Sequence, residues 1–199
     1  MTICHRLLAL GSATLSDVLD EAGFQAQTPS PAGALPVYAL PTLAAAGAVL
    51  VLATGGFQGG AVIGGLLAED LLGSAVAGVV TDGLVRDRRE LGGGPLPVHA
   101  TGSISQNGAR RMLIASWTQP VVMPGPESSS VLVWPGDILL GDEDGIVTIP
   151  ADMAGKIRDM GEELARKEAL LRSTQAAMSA AERAEARAAR SSHIAWIRT

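Results

Sequence analysis

Within Gly78-Val79-Val80-Thr81-Asp82-Gly83-Leu84-Val85-Arg86-Asp87, a fixed cation and a fixed anion stand side by side just after a β-branched run. Side by side they present a cationic hydrogen-bond donor and an anionic acceptor. The preceding residues predict their placement. Ala75, Val76, Ala77 and Gly78 are small or apolar, and Val79 and Val80 favour a strand covered on both faces. Asp82-Gly83 predicts a tight turn that ends the strand, with the glycine accepting φ > 0. Arg86 and Asp87 then fall just beyond the carboxyl end of a core strand, where α/β proteins concentrate their chemistry. By residue type alone, an exposed ion pair in a loop fits the same two residues.

A second candidate lies upstream. Ala48-Val49-Leu50-Val51-Leu52-Ala53 is too short for a free helix and predicts a central strand. Gly55 to Gly60 predicts a flexible loop, and Ala61 to Leu72 reads as a helix despite its glycines. Strand, loop, helix and strand together imply a right-handed crossover into the Val79 strand. A Gly-rich loop before a helix suggests a phosphate site, but Gly-Lys-Ser/Thr is absent and no clean Gly-x-Gly-x-x-Gly precedes an acid about twenty residues on. Backbone N–H groups at a helix start can still hold a small anion such as a carboxylate.

Other reactive residues read as structural. His99 sits in the alternating run Leu96 to Ala100, which predicts a strand with a hydrogen-bonded histidine. Cys4 is the single cysteine, so no internal disulfide forms and a reducing cytosol is expected. Asp142, Glu143 and Asp144 lack the remaining ligands of a calcium loop and predict a solvated hairpin tip between Ile138–Leu140 and Ile146–Ile149.

The remaining elements form a scaffold. Thr14 to Gly23 predicts a short capped helix, residues 25–36 a loop, and Ser103 to Arg111 a polar loop. Val121–Met123 and Val131–Trp134 read as strands. From Ala151 the composition shifts to Ala, Glu, Arg and Lys, and Met153, Ile157, Met160, Leu164 and Leu171 recur at helical spacing with Glu162/Arg166 and Glu163/Lys167 support. The expected division is an α/β domain over residues 1–150 and a helical extension over 151–199. At 199 residues with 47% hydrophobic and 18% charged side chains, one substantial core is expected. A net charge of −5 argues against nucleic acid and anionic membranes as partners. The uncharged interval between Glu21 and Glu69 is broken by prolines and paired glycines, so no membrane span is expected. No export signal is read near Arg6, and the expected location is the cytoplasm.

Four segments resemble the RraA-like family, which includes 4-hydroxy-4-methyl-2-oxoglutarate aldolases and the RNase E inhibitor RraA: Leu15–Asp20, Gly64–Ala68, Val76–Asp87, and Pro135-Gly136-Asp137 through Asp144–Val147 to Pro150. The similarity spans most of residues 7–172. It implies an α/β fold, a three-layer β/β/α sandwich with a long C-terminal helix, assembled as a homotrimer or hexamer with sites between subunits. In the aldolase branch it implies a metal-dependent lyase that releases pyruvate from a small 2-oxo dicarboxylic acid by retro-aldol cleavage or decarboxylation. Asp87 would hold Mg²⁺, or another divalent cation such as Mn²⁺. Arg86 would bind the 2-oxo acid and stabilise the enolate. Gly64, Gly65 and the amides of Leu66 and Leu67 would take the substrate carboxylate. Glu168 is the loose match for a metal-site glutamate supplied by a neighbour, with Glu162 second.

Two departures accompany the resemblance. Gly65 stands where relatives carry an acid, which would open space for another substrate, and the chain is short between Pro36 and Ala48, where relatives carry a further strand and helix. Recruitment of the fold to a different reaction in specialised metabolism, and a non-catalytic binding role such as regulation of ribonuclease E, are the alternatives.

Overall fold

The computed structural model describes residues 14, 16–18 and 34–191. Two compact units are present, Met1–Thr148 and Ile149–Thr199. In the first, β1 (Leu35–Pro36) pairs antiparallel with β8 (Leu113–Ile114), so the end of the expected 25–36 loop is a short strand. Val37–Ala39 forms a 3₁₀ turn that runs into the one-turn helix α1 (Leu40–Leu43). These turns are all that fills the short interval before β2 (Val49–Leu52). Thr14 and Ser16–Val18 are helical, as expected; the rest of the predicted helix up to Gly23 lies outside the described residues.

Two parallel sheets carry the centre. One has the order β2, β4 (Gly78–Thr81), β6 (Val98–His99); the other has β3 (Ala61–Ile63), β5 (Leu84–Val85), β7 (Gly102–Ser103). The middle strand of the first is β4, with β2 at its edge, which corrects the expectation that β2 is central. All four β4 residues are buried. Because successive side chains on a strand face opposite ways, Val79 packs with Leu50, Ile63, Leu67 and Leu71, whereas Val80 packs with Met123 and Val133. The second cluster draws on the antiparallel pair β9 (Val121–Pro124) and β10 (Ser130–Val133). The hairpin β11 (Ile138–Asp142) and β12 (Gly145–Ile149) follows.

Two expectations near the site change. Ala61–Ile63 is not the start of a helix: these residues are buried and pair in parallel with β5, and helix α2 (Gly65–Gly73) begins only after Gly64. Asp82-Gly83 does not form a positive-φ turn. It hands the chain from the β4 sheet to the β5 sheet, and glycine is required because a Cβ at 83 would stand 2.6 Å from Val62 Cγ2 and 3.1 Å from Thr54 Cγ2. Helix α3 (Arg88–Gly93) follows β5 directly.

In the second unit a 3₁₀ turn, Ala151–Met153, leads into α4 (Ala154–Ala177) and then α5 (Ala180–Ser191). The predicted Glu163/Lys167 pair closes at 2.7 Å on an exposed face. No described helix is long and apolar enough to cross a membrane.

Candidate active site

The Arg86–Asp87 pair is placed by the end of β5. Val85 is buried, and the Arg86 N–H donates to Ile63 O at 3.0 Å, so the parallel ladder with β3 continues one residue past the strand. This sets Arg86 beside the point where β3 gives way to Gly64 and α2. Asp87 then adopts the left-handed conformation, φ 58° and ψ 38°, which aspartate tolerates better than most residues. It occupies the N-cap of α3, yet its carboxylate makes no capping bond there. An aspartate at that position ordinarily accepts an N–H from its own helix. Here Oδ2 accepts the Gly65 N–H of α2 at 2.9 Å instead.

Gly64 and Gly65 make that approach possible. A Cβ on Gly64 would stand 2.8 Å from Asp87 Oδ2 and 3.0 Å from Arg86 Nε. A Cβ on Gly65 would fall on the Glu90 carboxylate, 3.2 Å from Glu90 Cδ and 3.7 Å from Asp87 Cβ. In this arrangement the place of a Cβ at 65 is taken by the Glu90 carboxylate, the far end of an exposed side chain. The N–H groups of Leu66 and Leu67 lie in the first turn of α2, where no intrahelical acceptor exists and no side chain caps them. Leu67 is buried in the core and anchors the turn, while the Leu66 side chain is exposed.

Arg86 is held by two acids. Its Nη1 donates to Asp17 Oδ1 at 2.8 Å, and its Nε lies 3.5 Å from Asp87 Oδ2. Burial of the guanidinium lowers its pKa, but the Asp17 hydrogen bond and the charges of Asp17 and Asp87 outweigh that and leave it raised. Arg86 is a permanent cation, oriented from one side by Asp17 and from the other by Asp87.

The donor set suits a hard divalent ion. Among the described residues no group of three or more His, Cys, Asp or Glu converges, but magnesium sites typically use one or two carboxylates and complete the shell with water and substrate. Asp87 commits Oδ2 to Gly65, and Oδ1 has no hydrogen bond or ion pair to a described residue. Glu168 lies on α4 in the second unit, exposed and 3.7 Å from Arg172 Nη2. The structure thus brings together Gly64, Gly65, Leu66, Leu67, Arg86 and Asp87, and adds Asp17 and Glu90, to which the sequence alone assigned no role. Asp17 lies inside Leu15–Asp20, a segment singled out by resemblance, so a signal for it existed. His99 lies on β6 as predicted, with Nε2 2.9 Å from where a Cβ on Gly141 would stand, and its ring makes no hydrogen bond to a described residue.

A cavity of about 730 Å³ opens elsewhere in the first unit, between Leu40, Thr54, Phe57, Met112, Trp117 and Trp134, and neither Arg86 nor Asp87 lines it. Its walls are mainly apolar. The charges of Arg86 and Asp87 and the uncapped N–H donors instead converge at the start of α2.

Residues 15–148 match the family model for RraA-like proteins, described as Aldolase/RraA. The chain belongs to the RraA-like family. A Thermus thermophilus relative, named as a proposed 4-hydroxy-4-methyl-2-oxoglutarate aldolase, is 36% identical over 110 residues, which cover 55% of this chain and 63% of that protein. Protein DlpA of Legionella pneumophila is 32% identical over 104 residues, covering 52% of this chain and 16% of DlpA. The matched region is thus less than two thirds of either relative. Among solved structures, an uncharacterized protein from Pseudomonas syringae superposes with a TM-score of 0.65 at 23% identity, over 88% of this chain and 92% of that one. Streptomyces coelicolor RraAS2, described as an unusual member of the RNase ES inhibitor RraA family, superposes with a TM-score of 0.60 at 24% identity, over 81% and 91%. The likeness supports the RraA-like fold that the sequence predicts, and this chain combines sheets and helices with a long C-terminal helix. Every predicted site residue except Glu168 lies within the RraA-like span.

Proposed function

We propose that this RraA-like chain is a divalent-metal-dependent lyase that releases pyruvate from a small 2-oxo dicarboxylic acid by retro-aldol cleavage or decarboxylation. One observation carries the reading: Asp87, diverted from capping its own helix, meets the Arg86 guanidinium and the Gly65 N–H at the start of α2. The Leu66 and Leu67 N–H groups offer a seat for the substrate carboxylate, reinforced by the helix dipole. Arg86 grips the 2-oxo acid and stands ready for the negative charge that develops as the bond breaks. A bound Mg²⁺ or Mn²⁺ supplies Lewis-acid polarisation of the 2-oxo group. Asp87 would hold that cation, with Glu168 of a neighbouring subunit as a further ligand. A homotrimer or hexamer would also cover Val122, Leu132 and Trp134, which are exposed large apolar residues of the first unit. The cytoplasm is the proposed location.

The test is pyruvate release from 4-hydroxy-4-methyl-2-oxoglutarate and from oxaloacetate, with and without Mg²⁺. Metal-dependent release should fall on the order of 100-fold or more in Arg86→Ala and in Asp87→Ala, the loss typical when a preorganised charge-stabilising group is removed. No release from either substrate by folded wild-type protein would overturn the lyase reading and leave a different reaction or a binding role for the scaffold.

A further inference from the structure

Two glycines adjoin the start of α2, and the space beside each is taken by a side chain from the Arg86–Glu90 passage. Asp87 and Arg86 lie over Gly64, and the Glu90 carboxylate lies over Gly65. Glu90 belongs to the first turn of α3, and its N–H donates to Asp87 O at 2.9 Å. The left-handed residue that aims Asp87 therefore also sets the position of Glu90. The Glu90 carboxylate has no hydrogen bond or ion pair to any described residue. An exposed glutamate on a short helix could extend into solvent. This one folds back across the start of α2 and lies over Gly65, the residue whose N–H the Asp87 carboxylate accepts. Two carboxylates that flank one residue oppose each other unless a cation is shared between them, and a hard divalent ion accepts such a pair with the rest of its shell left to water and substrate.

We infer that Glu90 is the second carboxylate of the metal site at Asp87, and that position 65 is glycine because a side chain there would expel it. The inference rests on the lyase reading for the existence of that metal. It is distinct in assigning the ligand to α3 of the same chain, and in giving Gly65 a steric role. Substitution at 65 should leave the fold intact, because the atoms displaced are the far end of a flexible side chain and alanine favours a helix over glycine.

The experiment is Mn²⁺ binding to the full chain, followed by electron paramagnetic resonance of free Mn²⁺ and by calorimetry, alongside thermal unfolding. Wild type should bind, and Asp87→Asn should bind far more weakly. Glu90→Gln and Gly65→Ala should each weaken binding by about tenfold or more, the scale seen when groups supporting a metal are lost, with unfolding midpoints at or above that of wild type. Moving the carboxylate, in the double variant Gly65→Asp with Glu90→Ala, should recover part of the affinity lost in Glu90→Ala alone. Wild-type affinity in both Glu90→Gln and Gly65→Ala, with binding lost in Asp87→Asn, would overturn the role of Glu90 while keeping the metal at Asp87. Failure of wild type itself to bind Mn²⁺ would overturn both.

Discussion

Asp82 and Asp87 lie on one passage from β4 to α3, and the same side chain serves opposite ends in the two places. Asp82 is buried and fully engaged: Oδ1 accepts the Thr54 N–H at 2.6 Å and the Thr54 hydroxyl at 2.8 Å, and Oδ2 accepts the Gly56 N–H at 2.9 Å. It pins the loop after β2, where Gly55 and Gly56 hold φ of 67° and 74°, values that suit glycine. Asp87 keeps 22% of its side chain exposed, adopts a strained backbone, and commits one oxygen to a neighbouring helix. A carboxylate whose acceptor capacity is consumed by a neighbouring loop holds a fold together. One that is aimed by strain and left half-satisfied beside a fixed cation can bind something else.

The contrast makes Asp82→Ala the most damaging substitution for stability. It strips partners from two backbone N–H groups and a hydroxyl in a poorly hydrated site, and should cost about 3 kcal/mol, read as a lower midpoint in thermal or urea unfolding. The fraction still folded should bind Mn²⁺ as wild type does. Unchanged stability with lost metal binding would reverse the assignment of the two aspartates.

A smaller effect should follow from Asp17→Asn. Arg86 would keep Asp87 and an amide oxygen for its Nη1 end, but lose the negative charge that strengthens that bond and fixes the guanidinium. Substrate KM should rise by about tenfold, equivalent to about 1.4 kcal/mol, with a smaller change in kcat. A fall in kcat at constant KM would instead place Asp17 in the reaction itself.

The legibility of these features in sequence follows their range. The β4 strand and the charges after it were readable because β-branched residues, an acid and an arginine follow one another locally. Strand β3 was not, because Ala61–Ile63 joins an apolar stretch continuous with α2, and a buried three-residue strand has no periodicity of its own. The glycine at 83 reads in sequence as a positive-φ turn residue, whereas its constraint is Val62 and Thr54 across the sheets and not a backbone torsion. Asp17 reaches Arg86 across 69 positions. Glu90 over Gly65 is a tertiary overlap that composition cannot reveal, so an absent acid at 65 read as empty space.

The weakest test concerns pH. The folded pKa of Arg86 is raised, so the stability its pairing contributes is complete below the unfolded value and is lost only as pH rises through the folded one. Both lie above the range in which the proposed activity can be assayed, and Arg86 should impose no alkaline limb on it. Arg86→Lys keeps a positive charge but replaces the planar fork with a point charge that titrates near pH ~10. The ratio of variant to wild-type kcat/KM cancels groups common to both proteins. It should be low and flat near neutrality, then fall further as pH approaches about 10. A ratio that stays flat through that range would mean that the charge at position 86 does not act on the substrate. Arg86 would then belong with Asp82, as part of the scaffold.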